Sequence, residues 1–149
     1  MKIIILAIGK EKDFSGNELV LDYTERISHY YSCEWKYIAG VDQEKDNKNI
    51  IEVLEKLGTG SYVIALDEKG KNFDSKEFAL KIEMCLNESI RTIVFIIGGS
   101  YGLNEEIKKK ANLTLALSEL TFPHQLVRLI LIEQIYRACT IIRGEKYHH

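Results

Sequence analysis

Short apolar runs alternate with amphipathic segments along the whole chain. Runs rich in β-branched and aromatic residues predict five strands, at residues 2–8, 34–39, 61–66, 91–97 and 113–117. The segments between and after them carry apolar residues at helical spacing and predict helices at 15–30, 49–57, 74–87, 104–111 and 124–144. Strands that alternate with helices in this way indicate an α/β fold with a parallel sheet covered on both faces. We find no internal repeat or linker, so we expect residues 1–149 to form a single domain.

Local signals mark several of these boundaries. Ser15 and Glu18 have the spacing of a capping box, Asp74 caps the third helix together with Glu77, and Asn104 caps the fourth. A charged turn at 67–70 should end the third strand, and a glycine loop at 98–102 should end the fourth. The single proline, at position 123, stands just before the last helix.

The last predicted helix is apolar around nearly its whole circumference. A helix of this kind needs packing partners on most sides, and one sheet supplies a single face. We therefore expect a homodimer through this helix, the alternative being a central helix inside a monomer. The apolar positions are Leu126, Val127, Leu129, Ile130, Leu131, Ile132, Ile135, Tyr136, Ala138, Ile141 and Ile142.

Composition narrows the function classes. A net charge of -2 excludes a strongly basic nucleic-acid coat. Residues 1–74 carry 10 basic and 14 acidic side chains, whereas residues 75–149 carry 10 and 8, so any contact with a polyanion should come from the C-terminal half. The three cysteines are far apart and are not paired with histidines, which favours buried thiols in a reducing compartment over disulfides or a metal site. No apolar run is long enough to span a bilayer, and we expect a cytoplasmic protein.

Candidate chemistry lies where the predicted strands end. In open α/β sheets ligands bind beyond the carboxyl ends of the strands, and three such ends here have loop-forming sequences: 66–67, 98–102 and 117–122. The glycine loop does not follow the first strand and does not match the GxGxxG motif of dinucleotide-binding proteins. By itself it indicates a ligand loop or merely a tight turn.

The last helix and the tail that follows it hold the titratable candidates. His124 and Arg128 are four residues apart and share a helix face, whereas Arg137 lies half a revolution away from Arg128. Tyr147 and His148 form an aromatic tail that can stack on an unpaired base. The alternatives are a frayed polar terminus or, for the final two histidines, the remnant of a tag.

Four segments together resemble the RlmH methyltransferases of the SPOUT superfamily, which modify large-subunit ribosomal RNA. They are MKIIILAIGK at 1–10, YVIALDEKGK at 62–71, VFIIGGSYGL at 94–103 and LSELTFPHQLVRLILIEQIYRACTIIRGEKYHH at 117–149. The resemblance implies a C-terminal trefoil knot, a homodimer, and S-adenosylmethionine as methyl donor without a metal. Chain-threading rules alone argue against a knot. By resemblance, the donor contacts Leu66, Gly98, Leu117, Ser118, Glu119, Leu120, Thr121 and Phe122.

The resemblance also implies the reaction, methylation of N3 of a pseudouridine in 23S ribosomal RNA on the assembled ribosome. We assign RNA positioning to Arg137 and Tyr147. His148 is the candidate for the base that removes the N3 proton or for a base-orienting group, and His124 is the second candidate. His124 has an alternative role at the helix start, and Glu119 is either a counter-charge to the donor or an exposed carboxylate. These tail residues act across the dimer in this hypothesis.

Two other functions remain open on the sequence. A Rossmann-like nucleotide-binding module without catalysis would bind its nucleotide in preference to S-adenosylmethionine. A ribosome-associated structural protein would require a damaged donor loop, and the loops here are intact. A monomeric methyltransferase of the ordinary Rossmann type is disfavoured, because such enzymes have the glycine loop after the first strand and this chain has it after the fourth.

Overall fold

The computed structural model describes residues 1–10 and 15–149. Within these residues, five strands and five helices alternate, as the sequence pattern predicts. The strands are β1 (Lys2–Ile8), β2 (Ser32–Ile38), β3 (Ser61–Asn72), β4 (Thr92–Ile97) and β5 (Leu113–Ala116). The helices are α1 (Asn17–Ser28), α2 (Gln43–Leu57), α3 (Ser75–Asn87), α4 (Glu105–Lys110) and α5 (His124–Ile142).

The strands form one sheet in the order β2-β1-β4-β3-β5, and every pairing is parallel. The predicted α/β class with a parallel sheet is therefore confirmed. Because all strands run the same way, their carboxyl ends meet at one edge of the sheet. The trefoil knot implied by the resemblance stays a prediction.

Two apolar cores lie on opposite faces of the sheet. In β1, residues Ile3, Ile5 and Ala7 join one core, and the alternate residues from Ile4 onward join the other. The first core also contains residues of α1, α3 and α5, and the second contains residues of α2 and α4. Coverage on both faces explains why the central strands are continuously apolar in sequence.

Most helix boundaries agree with their local signals, and two do not. Asp74 and Glu77 form the predicted capping box of α3, and Asn104 accepts a hydrogen bond from the backbone N–H of residue 107 at the start of α4. The Ser15–Glu18 capping box is wrong, because α1 has Gly16 at its N-cap and no side-chain cap. Helix α2 begins at Gln43, six residues before the predicted start, because its first turns are polar and carry no apolar periodicity.

The third strand is longer than predicted. β3 pairs with β5 up to Leu66, leaves the ladder, and pairs again from Lys71. The predicted turn at 67–70 is thus a bulge within the strand and does not end it. This bulge is located at the carboxyl edge of the sheet, beside the end of β4.

Helix α5 packs between α1 and α3 on one face of the sheet. The sheet, α1 and α3 therefore cover several sides of α5 within one chain. The dimer prediction from the sequence counted the sheet as the only packing partner in the same chain. Leu126 remains 38% exposed, and by helical spacing it shares the outer face of α5 with Ile130, Glu133 and Arg137. The homodimer stays a prediction, and its interface would be this outer face of α5.

The cysteines are free thiols, as their spacing predicts. Burial raises the pKa of Cys33 and of Cys139 to about 12 and that of Cys85 to about 11. Thiols with such pKa values are poor nucleophiles near neutral pH, so they contribute to packing and not to chemistry.

Candidate active site

A cleft of about 870 Å³ opens at the carboxyl edge of the sheet. Three segments line it, namely 66–69 after the paired part of β3, 97–103 after β4, and 117–124 after β5. These are the three strand ends that the sequence singles out. They meet because β4 and β5 flank β3 in the parallel sheet.

The loop after β4 approaches itself closely. The N–H of Gly102 donates to the carbonyl of Gly99 at 2.9 Å, and Gly102 has a φ of 70°. A Cβ on Gly98 would lie 2.9 Å from the carbonyl carbon of Gly102, closer than such contacts allow. The turn therefore requires glycine at 98 and favours it at 102, which leaves backbone groups facing the cleft.

The β3 bulge is anchored by charge. Lys108 Nζ lies 2.6 Å from Asp67 Oδ2, and the N–H of Lys69 donates to Asp67 Oδ1 at 2.9 Å. Burial opposes ionisation of Asp67, but these two partners outweigh it, so the pKa of this carboxyl lies below its usual range. The hydrogen bond to Asp67 in turn raises the pKa of Lys108.

A second contact joins the bulge to the segment after β5. The hydroxyl of Thr121 donates to Glu68 Oε2 at 2.6 Å, and the backbone N–H of Leu120 donates to Ser118 Oγ at 3.0 Å. The loop between β5 and α5 is thus held against the loop after β3. Two walls of the cleft are fixed to one another before any ligand binds.

The structure brings nearly all predicted donor contacts together. Glu119 is the exception, because it is exposed and does not line the cleft, which agrees with its reading as a loop carboxylate. His124, the second candidate base, does line it. The predicted residues that line the cleft are Leu66, Gly98, Leu117, Ser118, Leu120, Thr121 and Phe122.

Arg137, Tyr147 and His148 come together at the other end of α5. Glu133 Oε1 accepts from Arg137 Nη2 at 2.6 Å and from the Tyr147 hydroxyl at 3.1 Å. The Arg137 guanidinium stacks on the Tyr147 ring at 4.8 Å from its centre, and its Nη1 lies 3.5 Å from His148 Nδ1. The tail is therefore packed against α5 and is not a frayed terminus.

Charge and burial set the protonation states in this cluster. The hydrogen bond to Glu133 raises the pKa of Arg137, so the guanidinium is always cationic. Burial, the hydrogen bond with Tyr23 and the charge of Glu133 raise the pKa of Tyr147, which keeps its phenol protonated. Sequence reasoning missed Glu133, although its four-residue spacing to Arg137 was available as a signal.

The two groups of candidate residues are far apart in one chain. None of Arg137, Tyr147 and His148 lines the cleft. Arg137 lies thirteen positions after His124 in α5, a rise of about 20 Å along the axis. A single chain therefore does not bring its own tail cluster to its own cleft.

Arg128 has a structural task that the sequence did not indicate. It is only 2% exposed, its Nη2 donates to the carbonyl of Ile8 at 2.7 Å, and its Nη1 donates to that of Lys10 at 2.9 Å. The guanidinium also lies over the Tyr37 ring, 5.2 Å from its centre. These contacts join α5 to the carboxyl ends of β1 and β2.

Metal-binding and membrane-spanning features are a separate question for the described residues. Within residues 1–10 and 15–149, no three His, Cys, Asp or Glu side chains gather in a way that would hold a metal ion. In the same part of the chain, no helix has both the length and the apolar character needed to cross a membrane.

Known proteins are similar to this chain along its whole length. A family model described as "Predicted SPOUT methyltransferase" matches residues 1–148. Proteins named Ribosomal RNA large subunit methyltransferase H are 40% identical in Cytophaga hutchinsonii, over 100% of both chains, and 42% identical in Flavobacterium johnsoniae, over 100% of this chain and 99% of the relative. A Clostridium botulinum protein of that name is 41% identical over 99% of each chain.

A solved structure supports the fold independently. "The structure of a probable methylase family protein from Haemophilus influenzae Rd KW20" superposes with a TM-score of 0.58 at 13% identity, over 99% of this chain and 70% of that one. The sequence relatives, by contrast, match at full length and include the segments that line the cleft. The chain therefore belongs to the RlmH family of SPOUT methyltransferases.

Proposed function

We propose that the cleft binds S-adenosylmethionine and that the protein transfers its methyl group to N3 of a pseudouridine in 23S ribosomal RNA. The observation that carries this proposal is the convergence of segments 66–69, 97–103 and 117–124 on one cleft. The names of its relatives, ribosomal RNA large subunit methyltransferases, support the substrate class.

The cleft fits the proposed donor in size and character. Its volume of about 870 Å³ lies within the range of roughly 300–1,000 Å³ that is typical of small-molecule sites. Leu66, Leu117 and Phe122 offer apolar contacts for an adenosyl group, and the Glu68 carboxylate offers negative charge to a cation, whereas Asp67 is already paired with Lys108. When bound, the donor supplies a methyl group on a positively charged sulfur, a leaving group that needs no further activation.

The chain's own residues then have two tasks. Backbone groups of the Gly98 loop and of segment 117–122 hold the donor in place, which makes catalysis largely a matter of positioning. The N3–H of the base must lose its proton so that the nitrogen lone pair can take the methyl. We assign the removal of that proton to His148, with His124 as the second candidate.

The assignment requires a second subunit. Arg137 and Tyr147 contact the RNA in this proposal, yet they lie beyond the reach of the cleft in their own chain. The outer face of α5, which carries Leu126, Ile130 and Arg137, is the surface that a second copy would cover. A homodimer through this face places one subunit's tail beside the other subunit's donor.

We further propose that the substrate is the assembled ribosome in the cytoplasm. A domain of 149 residues with a net charge of -2 neutralises few phosphates by itself, and phosphate neutralisation dominates affinity for naked RNA. Residues 1–149 act as one catalytic domain in this account, and shape recognition on the ribosome supplies further affinity.

Methyl transfer from radiolabelled S-adenosylmethionine tests the proposal. Ribosomes from cells that lack the gene should accept one methyl group each, and mass mapping should locate it on a pseudouridine. Intact ribosomes should react far faster than a transcript that carries the same pseudouridine. Equal rates would contradict the ribosome as substrate, and label on another nucleotide would contradict the assigned reaction.

A further inference from the structure

A second, smaller cavity adjoins the donor cleft. It measures about 200 Å³ and lies between the carboxyl ends of β1, β2 and β4 and the first turns of α2. Segment 99–102 and His124 line both spaces. The two spaces therefore share part of their wall, and the smaller one by itself cannot hold a whole cofactor.

Two polar side chains are buried against this cavity. Asn47 is 4% exposed and Asp46 is 8% exposed, and both line it. Asp46 accepts one hydrogen bond, from the N–H of Val41 at 3.2 Å, whereas the Asn47 amide has no hydrogen-bond partner within the part of the chain that the structure describes. The Asn47 amide atoms are not among the fully buried polar atoms that lack a partner, so the amide is reached from the cavity that it lines and can bind a polar ligand there.

The charge of the cavity selects the kind of ligand. Asp42 and Asp46 line it, and neither Lys nor Arg is found among its described lining residues. A phosphate would meet two carboxylates there, so an anion is disfavoured even at the N-terminus of α2. A neutral ring with N–H donors and carbonyl acceptors suits both the carboxylate of Asp46 and the amide of Asn47.

An aromatic side chain stands at the entrance. Tyr101 lines the cavity and the cleft and is 82% exposed. Its carbonyl accepts from Gln43 Nε2 at 3.0 Å, which ties the glycine loop to the start of α2. Exposed aromatic rings stack on bases that have left the helix.

We propose that this cavity receives the target pyrimidine, with Tyr101 stacked on its face, Asp46 bound to its N1–H and Asn47 bound to a carbonyl oxygen, so that N3 stays free to meet the donor. The inference rests on the proposed function and names the specificity site for it. Pseudouridine keeps a free N1–H that uridine lacks, because its ring is attached to the sugar through carbon. An acceptor such as Asp46 can therefore distinguish the two.

The test uses full-length protein and ribosomes that carry either pseudouridine or uridine at the target position. Asn47→Leu should lower kcat/KM for methyl transfer by about tenfold or more, because it removes the amide that binds the base. Its affinity for S-adenosylmethionine, measured by calorimetry, should be unchanged. Asp46→Asn should reduce the preference for pseudouridine over uridine. Asn49→Leu, on the exposed face of α2, is the matched control and should behave as wild type.

Each failure has a distinct meaning. Wild-type protein that methylates neither ribosome refutes the proposed function itself. Normal transfer by Asn47→Leu overturns the inference alone, as does an equal loss of donor affinity and kcat/KM, because the cavity would then serve the donor. If Asn47→Leu does not fold, Tyr101→Ala decides the matter, since its exposed side chain can be removed without disturbing the core, and wild-type kcat/KM in that variant also overturns the inference.

Discussion

Arg137 and Glu133 form an ion pair one helical turn apart on the outer face of α5. Nη2 and Nε of Arg137 both donate to Glu133 Oε1, at 2.6 and 3.1 Å. The same oxygen accepts from the Tyr147 hydroxyl, so one carboxylate orients both residues that are assigned to the RNA. The outer face of α5 is therefore ordered before a substrate or a second subunit arrives.

Removal of this carboxylate should impair the reaction without affecting the donor. Glu133→Ala should lower kcat/KM on ribosomes by about tenfold, because Arg137 and Tyr147 lose their common orientation. Glu133→Gln retains one acceptor and should lose less. Initial rates of methyl transfer give the result, with calorimetry for donor affinity and Glu52→Gln on α2 as the control. Wild-type rates in Glu133→Ala would show that the pair has no positioning role.

A glycine-to-alanine substitution tests the loop after β4 as part of the donor site. Gly98→Ala places a Cβ 2.9 Å from the Gly102 carbonyl carbon, and such overpacking costs about 1–3 kcal/mol. We expect a lower free energy of unfolding and markedly weaker S-adenosylmethionine binding. Gly60→Ala is the matched control, because its Cβ meets nothing within 4 Å. Equal donor affinity in the two variants would remove the loop from the binding site.

The sequence predicted those features whose causes are local or follow from the parallel topology. Asp74 and Glu77 specify the start of α3 by themselves, and a parallel sheet necessarily brings segments 66–69, 97–103 and 117–124 to one edge. Helix α2 was predicted too short because its first turns are polar and show no apolar spacing. The start of the helix is marked instead by Asp42, which accepts a hydrogen bond from the N–H of Lys45.

The remaining site features depend on contacts between distant parts of the chain. Tyr147 reaches Glu133 only after the tail folds back on α5, and Tyr23 joins them from α1. Asp46 and Asn47 are polar, so their residue types predict exposure, whereas the structure buries both beside the smaller cavity. Residue type and spacing carry no information on such burial.

The Asp67–Lys108 pair should make stability depend on pH in the acid range. The folded-state pKa of Asp67 is lowered, so its contribution is present above the unfolded pKa of about 3.9 and is lost as the pH falls through the folded pKa. Asp67→Asn should reduce the free energy of unfolding by about 1 kcal/mol at pH 7, and this difference should shrink below pH of about 4. Urea unfolding measures it.

An exposed pair provides the comparison for that experiment. Asp22 and Arg26 form an ion pair 2.9 Å long whose side chains are nearly half exposed. Asp22→Asn should therefore reduce the free energy of unfolding less than Asp67→Asn does at pH 7. Equal losses in the two variants, or an Asp67→Asn deficit that persists in acid, would contradict a special role for the pair at the bulge.

The separation of the cleft from the tail cluster predicts rescue between two inactive variants. Gly98→Val lacks a donor site but keeps its tail, and His148→Ala keeps the donor site but lacks the assigned base. In a co-expressed mixture, heterodimers should contain one complete composite site, and random pairing of two subunit types predicts about a quarter of wild-type activity. Methyl transfer to ribosomes by the mixture and by each parent measures the effect, with size-exclusion chromatography to confirm the dimer. A mixture as inactive as its parents would mean that each subunit uses its own tail, which the rise of about 20 Å along α5 between His124 and Arg137 argues against.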